Sequence, residues 1–165
     1  MRVLLIEPCM NNMILSSVPN IEPEEAGFYP PLGLMYIAAY LEQNSDHQVQ
    51  IIDMPVEKMT YETLEREIKK IGPDVVGIHA VTFTMVDVLL IAKIVKRVNP
   101  HIHVCLGGPH VTIYPEETIT HSEIGLTGPR GGREGLYQTN KRYSGWKKFG
   151  GDRKRDSVQK RKDNN

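Results

Sequence analysis

Short apolar runs alternate with longer amphipathic segments along the first three quarters of the chain. The runs are rich in Val, Ile and Leu without polar alternation, which is typical of strands buried on both faces of a parallel sheet. The predicted strands are residues 2–6, 49–52, 74–78 and 102–106. Between and after them, apolar residues recur at helical spacing. The predicted helices begin at Pro30 and Pro31, at Tyr61, at Met85 and at Pro115.

This alternation of strands and helices predicts an α/β fold: a doubly wound parallel sheet with helices on both faces and right-handed crossovers. We expect the flavodoxin-like (Rossmann-like) strand order 2-1-3-4-5, whose crevice lies at the carboxyl ends of strands 1 and 3. A fifth strand is due near Glu123 and Ile124, and the sequence indicates that it is degenerate or missing. The loops at residues 9–29, 79–84 and 107–112 should converge on one rim.

Charge divides the chain into two segments. Residues 1–124 carry 8 Lys and Arg against 16 Asp and Glu, a net charge of −8, whereas residues 125–165 carry 12 against 4, a net charge of +8. We therefore predict an α/β domain over residues 1–124 and a basic, mostly disordered tail over residues 125–165. Aromatic residues in the tail suit stacking on single strands, but basic tails have many causes, so nucleic acid is not an expected partner. The abrupt change also fits a truncated or frameshifted gene product.

The two cysteines, Cys9 and Cys105, do not resemble a disulfide framework and indicate a reducing compartment. The sequence places them at the ends of adjacent strands, where small buried side chains are commoner than a metal pair. The apolar run that follows Arg2 has only about five residues, far short of a signal peptide or a membrane span. We predict a soluble cytoplasmic protein without a membrane span or a metal-ligand set.

Paired glycines end the fourth strand. Gly107 and Gly108 either let backbone approach a ligand or form a tight turn without one. His110 is a candidate ligand contact or a surface residue, and His79 is a candidate contact or a histidine satisfied by backbone. Asp53 stands where a dinucleotide-binding enzyme has its ribose acid, but no GxGxxG follows the first strand, which argues against that class.

Three stretches together resemble one family: VLLIEP at residues 3–8, PPLGLMYIAAYLE at residues 30–42 and LGGPHVTIYPEE at residues 106–117. They resemble the cobalamin-binding domain that precedes the catalytic barrel of many cobalamin-dependent radical S-adenosylmethionine (SAM) enzymes. That group includes methyltransferases and the anaerobic magnesium-protoporphyrin monomethyl ester cyclase. PDVVGI at residues 73–78 fits the same pattern, and the resemblance covers residues 1–124.

The resemblance implies that a corrin ring lies flat on the rim and that its nucleotide tail enters the crevice between strands 1 and 3. It implies that Gly107 and Gly108 let the backbone approach the corrinoid, and that the loop after them lies beneath the ring. It also implies that position 79 lies beside the nucleotide tail. Related domains carry a small hydroxyl residue there; this chain has His79, with Thr82 as a substitute hydroxyl. The cofactor-binding residues it implies are Gly107, Gly108, Pro109, His110, Thr112, His79, Thr82, Pro31 and Gly33. It implies no catalytic residue in this segment.

Two departures limit the expected function. Residues 9–29 contain no His, so the lower face of the cobalt should lack a His ligand from this loop. No Cys follows Cys105, so this chain should hold no iron–sulfur cluster and should not be active alone. The sequence thus predicts a cobalamin-binding module without its own barrel, with a radical SAM barrel on another chain as a candidate partner. The alternative is a flavodoxin-like scaffold or interaction protein with a basic tail and no cofactor.

Overall fold

The computed structural model describes residues 1–14 and 29–127. The elements are β1 (Arg2–Glu7), α1 (Leu32–Asn44), β2 (Gln48–Asp53), α2 (Tyr61–Ile71), β3 (Val75–His79), a 3-10 turn (Thr82–Thr84), α3 (Met85–Val98), β4 (His103–Gly107), α4 (Pro109–Ile113), α5 (Pro115–Thr118) and β5 (Leu126–Thr127). The middle of the predicted loop at residues 9–29 and nearly all of the predicted basic tail lie outside the described residues. The division into two segments therefore stays a prediction.

The strands form one parallel sheet in the order β2-β1-β3-β4-β5. The predicted flavodoxin-like order is confirmed. The strand β1 is central, and its Ile6 pairs with Ile52 of β2 on one side and with Ile78 of β3 on the other. The order of strands therefore reverses between β1 and β3, where an open α/β sheet forms its ligand crevice.

The two faces of the sheet are packed unequally. A large apolar cluster lies beneath α2 and α3, and it includes the fully buried Leu64, Ile68 and Val88. On the other face, a small cluster is built from Val3, Leu5 and Leu34 between β1 and α1. The sheet position is therefore fixed mainly from the α2 and α3 side.

Local signals define α2. Thr60 caps its amino end by accepting a hydrogen bond from the Thr63 amide at 3.2 Å. Gly72 ends it in the left-handed conformation (φ +55°), and its amide donates to the Ile68 carbonyl at 2.8 Å. Among the described residues, no helix is long and apolar enough to cross a membrane.

The fifth strand is degenerate, as predicted: β5 has only two residues. It starts later than Glu123 and is introduced by the Gly125 amide, which donates to the Val104 carbonyl at 3.0 Å. The helix predicted to begin at Pro115 is confirmed as α5, and two expectations need correction. A further short helix, α4, begins earlier, at Pro109 directly after the glycines. Cys9 and Cys105 do not follow adjacent strands, because β3 lies between β1 and β4.

Candidate functional site

The loops after β1, β3 and β4 meet at the carboxyl edge of the sheet. The amide of Ile14 donates to the Phe83 carbonyl at 2.9 Å and so joins the first loop to the loop after β3. The amide of Ala80 donates to the Gly107 carbonyl at 2.7 Å, and the amide of His110 donates to the Ala80 carbonyl at 3.1 Å. The described parts of the three loops therefore form one connected rim, as the strand order predicts.

The two rim glycines have different surroundings. Gly108 has φ +120°, and a Cβ there would lie 2.6 Å from the Ala80 carbonyl oxygen and 2.8 Å from Cδ2 of His79. Both distances are too short for a real contact, so the packing of the neighbouring loop requires glycine at this position. A Cβ on Gly107 would meet no atom within 4 Å. Gly107 is therefore the glycine whose missing side chain leaves open space on the rim.

The loop after β4 is held by its own side chains. His110 is only 4% exposed, and its Nδ1 lies 3.2 Å from Oγ1 of Thr82, while its ring centroid lies 5.4 Å from that of Tyr114. The Thr112 hydroxyl donates to the Gly108 carbonyl at 3.1 Å. Pro109 is exposed at the first position of α4. The structure therefore brings the predicted loop residues together, with His110 inside the loop rather than on its surface.

A carboxylate and an imidazole form a hydrogen bond at the carboxyl ends of β1 and β3, where the strand order reverses. Glu7 and His79 end β1 and β3, and Nδ1 of His79 lies 2.9 Å from both carboxylate oxygens of Glu7. The hydrogen bond with Glu7 raises the pKa of His79, against the opposing effect of burial. His79 is thus paired with a carboxylate, not with backbone. Sequence analysis missed Glu7. The available signal was that Glu7 and His79 follow two strands that were predicted to be neighbours.

A second polar cluster lies beneath the loop after β1. Asp87 is fully buried in the first turn of α3 and accepts hydrogen bonds from the Asn12 amide at 3.1 Å, from Asn12 Nδ2 at 2.8 Å and from the Tyr61 hydroxyl. The Cys9 thiol lies 3.6 Å from the same carboxylate. Burial is the largest cause that raises the pKa of Tyr61 and of Cys9. The cluster ties the start of the first loop to α2 and α3.

Asp87 was also missed from sequence, although a signal was present. It stands at helical spacing before Ile91 and Val95, on the face that was predicted to be buried. An acidic residue on such a face is buried only when donors satisfy it. The pattern therefore pointed to a polar cluster, but not to the donors.

The amino end of α1 completes the rim. This helix connects two parallel strands, so its first turn lies at the carboxyl edge of the sheet. Pro31 precedes the helix, and its carbonyl accepts a hydrogen bond from the Met35 amide at 3.0 Å. Gly33 is exposed, and a Cβ there would meet no atom within 4 Å. Both residues therefore lie at the edge of the sheet that carries the other candidate residues, with free space around Gly33.

Several exposed apolar side chains lie at this edge. They stand after β1, after β3, at and just after the end of α4, and just before or at the start of α1: Met10, Ile14, Phe83, Ile113, Tyr114, Tyr29 and Leu32. A group of exposed apolar side chains is typical of a ligand or partner surface. Together with the open position at Gly107, it suits a broad ring with apolar faces. In the described part of the chain, no three His, Cys, Asp or Glu side chains are grouped to hold a metal ion.

Comparison with known proteins identifies the domain. A family model described as the B12 binding domain matches residues 24–131. The chain belongs to the B12-binding domain family. It is 40% identical over 119 residues to an uncharacterized methyltransferase of Pyrococcus horikoshii, covering 72% of this chain and 24% of that protein. It is 32% identical over 117 residues to the anaerobic magnesium-protoporphyrin IX monomethyl ester cyclase of Rubrivivax gelatinosus, covering 70% of this chain and 20% of that protein.

A solved structure shares the fold. The cobalamin-dependent S-adenosylmethionine radical enzyme OxsB, determined with aqua-cobalamin and S-adenosylmethionine bound, matches with a TM-score of 0.64 at 16% identity. The match covers 85% of this chain and 18% of that one. The chain thus spans about a quarter or less of the proteins it matches.

These comparisons confirm the family expected from the three sequence stretches. The chain is a B12-binding domain similar to the cobalamin-binding module of cobalamin-dependent radical SAM enzymes, and cobalamin is the cofactor that this family membership supports. The match covers that module and no iron–sulfur domain. The individual cofactor-binding residues remain predictions, and the geometry separates them into those that face open space and those that hold the loops.

Proposed function

We propose that this chain holds a corrinoid against its carboxyl-end rim and presents it to a radical SAM barrel on another chain. The observation that carries the proposal is the open space at Gly107, on an edge where apolar side chains are exposed. A residue with a side chain would fill that space at the end of β4. Glycine leaves the rim flat enough for a macrocycle to lie close to the backbone.

The residues of the chain would bind and orient the ring. Gly107 and Gly33 would permit close approach, while the apolar side chains would exclude water from the lower face of the ring. His110, Thr82 and Thr112 would act indirectly, because their contacts are with the loop itself. When bound, the cobalt centre would supply a carrier for a methyl or hydroxo ligand. Residues 9–29 contain no His, so this loop would leave the lower face without a His ligand.

Residues 1–165 supply too few cysteines for an iron–sulfur cluster. Iron–sulfur clusters are held by several Cys thiolates, and this chain has only Cys9 and Cys105. Cys9 is buried against Asp87, and burial raises the pKa of Cys105 to about 11, so both favour the thiol form. Two unpaired cysteines also fit a reducing compartment, and we place the domain in the cytoplasm on that ground.

The test is retention of a corrinoid and its dependence on Gly107. Purified protein incubated with hydroxocobalamin and desalted should keep the visible corrinoid band. Gly107→Leu should weaken the affinity by about tenfold or more, equivalent to at least about 1.4 kcal/mol. His101→Leu is the matched control, because His101 is exposed before β4 at the opposite edge of the sheet.

The outcomes distinguish the proposal from the alternative of a scaffold without a cofactor. A folded protein that retains no band would support the scaffold. Equal loss of affinity in Gly107→Leu and His101→Leu would move the site away from the rim. Circular dichroism of each variant separates loss of binding from loss of fold.

A further inference from the structure

The strand β2 lies at one edge of the sheet. Among the described residues, it has β1 on one side and no strand on the other. The amide of Gln48 donates to the Met1 carbonyl at 2.9 Å, so the even-numbered residues of β2 direct their backbone towards β1. The odd-numbered residues Val49, Ile51 and Asp53 therefore direct their N–H and C=O groups outwards.

The carboxyl end of this edge is covered by the loop that follows it. The Asp53 amide donates to the Glu57 carboxylate at 3.2 Å, and the Asp53 carbonyl accepts from the Glu57 amide at 2.9 Å. The strand itself, QVQIID, contains neither Lys nor Pro, which commonly protect exposed edges from pairing. Val49 and Ile51 therefore present backbone donors and acceptors in the geometry of an open strand edge.

These groups are complementary to a second copy of themselves. In an antiparallel pairing about a two-fold axis at Gln50, Val49 of each copy faces Ile51 of the other. Both residues direct N–H and C=O groups outwards, so each pair can exchange both hydrogen bonds, as antiparallel ladders do. Gln50 then faces its own copy, and the two side-chain amides can donate to and accept from one another. The same register places the His47 imidazole opposite the Asp53 carboxylate, and no like charges of the strands face each other.

The helix above this edge has room for its counterpart. Helix α1 packs on both β1 and β2 through Leu34 and its neighbours. Strands lie about 4.8 Å apart, so two copies of α1, each centred between β1 and β2, would lie about 10 Å apart, a normal distance between packed helices. Met35, Tyr36 and Tyr40 form an exposed apolar surface on α1, part of which this contact would cover. On the other face of the sheet, a groove lies between Gln50 and α2.

We propose that two copies of this chain associate through their β2 strands and form one continuous sheet about a two-fold axis at Gln50. The full chain has a formal net charge of zero, which favours association between copies. Because the strands run antiparallel across the axis, the two carboxyl-end rims lie at opposite ends of the pair. Association therefore needs no corrinoid and leaves each rim accessible.

The test uses the position that faces itself across the axis. Sedimentation equilibrium of the full chain, from micromolar to submillimolar concentration, should approach twice the 18.7 kDa mass of one chain. Gln50→Glu and Gln50→Lys each place like charges across the axis, so each should raise the dissociation constant about tenfold or more. An equimolar mixture of the two variants should restore association, because opposite charges then face each other. Gln48→Glu is the matched control: Gln48 is exposed on the same strand but faces Ile52 of the other copy, so the constant should change by about threefold or less.

Three results would overturn the proposal. The first is a wild-type chain that stays monomeric over the whole range. The second is a pair that neither Gln50 variant weakens, since the contact would then lie on another surface. The third is a mixture of folded Gln50→Glu and Gln50→Lys chains that stays monomeric, since the two-fold register requires its rescue. Amide hydrogen exchange of the wild type needs no variant: the Val49 and Ile51 amides should gain protection as the concentration rises, and unchanged exchange would contradict pairing at this edge.

Discussion

The buried carboxylate of Asp87 provides the sharpest test of what holds the rim. Tyr61→Phe removes one hydroxyl from this cluster and changes almost no volume. That hydroxyl donates to Asp87 and also accepts from Nδ2 of Asn12 at 3.0 Å. The variant therefore weakens the attachment of the first loop to α2 and α3 while it leaves the apolar core intact.

The magnitude follows from the partners that remain. A hydrogen bond to a charged group contributes about 1.5–3 kcal/mol to stability. Asp87 keeps the backbone and side-chain N–H groups of Asn12 as donors, so its carboxylate is not left alone. We therefore expect Tyr61→Phe to lower the free energy of unfolding by about 1.5–2 kcal/mol, at the lower end of that range.

Urea unfolding followed by circular dichroism measures this loss. With a slope of about 2 kcal/mol per M, the midpoint should fall by about 0.8–1 M. Tyr114→Phe is the matched control: Tyr114 lies on the same rim but is 46% exposed, so its hydroxyl is accessible to water. A midpoint for Tyr61→Phe equal to that of Tyr114→Phe would refute the view that Asp87 anchors the loop.

Three further predictions concern the rim. Because Glu7 raises the pKa of His79 above its unfolded value, the stability from this pair is fully present below about pH 6.5 and is lost as the pH rises through the folded pKa. The urea midpoint of Glu7→Gln should therefore change less between pH 6 and pH 9 than that of the wild type, and parallel curves would contradict this. Gly33→Ala should stabilise the apo protein by about 0.5–1 kcal/mol, because Ala has a higher helix propensity than Gly. The added methyl group would meet no atom within 4 Å. A weaker affinity for hydroxocobalamin in that stable variant would place Gly33 at the ring, and unchanged affinity would remove it from the site. Gly108→Val should unfold the domain or lower its urea midpoint by more than 1 M, since its Cβ would lie 2.6 Å from the Ala80 carbonyl; a native midpoint would contradict that packing.

Much of the fold was accessible from sequence because its determinants are local or repetitive. Buried parallel strands give continuous apolar runs, and the helices between them give helical spacing. Because crossover connections between parallel strands are right-handed, only a few strand orders remain possible. The start of β5 could not be placed from sequence because two residues cannot show a period, and its pairing with β4 uses backbone that any residue supplies.

The site was less accessible because its contacts join distant segments. Glu7 and His79 are 72 positions apart, and Asn12 and Asp87 are 75 apart. Their pairing depends on strand register and on a loop path that local patterns do not encode. The difference between Gly107 and Gly108 depends on the backbone of Ala80 and the ring of His79. The motif predicted the loop in which the candidate site lies, but not which of its two glycines is required by packing.

These contacts also bear on how strongly the rim can bind. The loop after β1 is anchored through Asp87, and the loops after β3 and β4 are joined through Ala80. A surface that is already ordered loses less conformational entropy when it takes up a ligand. Under the proposed function, the cluster at Asp87 and the packing at Gly108 would therefore contribute to affinity without touching the ligand. Mutations there should weaken binding in proportion to the order they remove from the loops, whereas Gly107→Leu should weaken binding at unchanged stability.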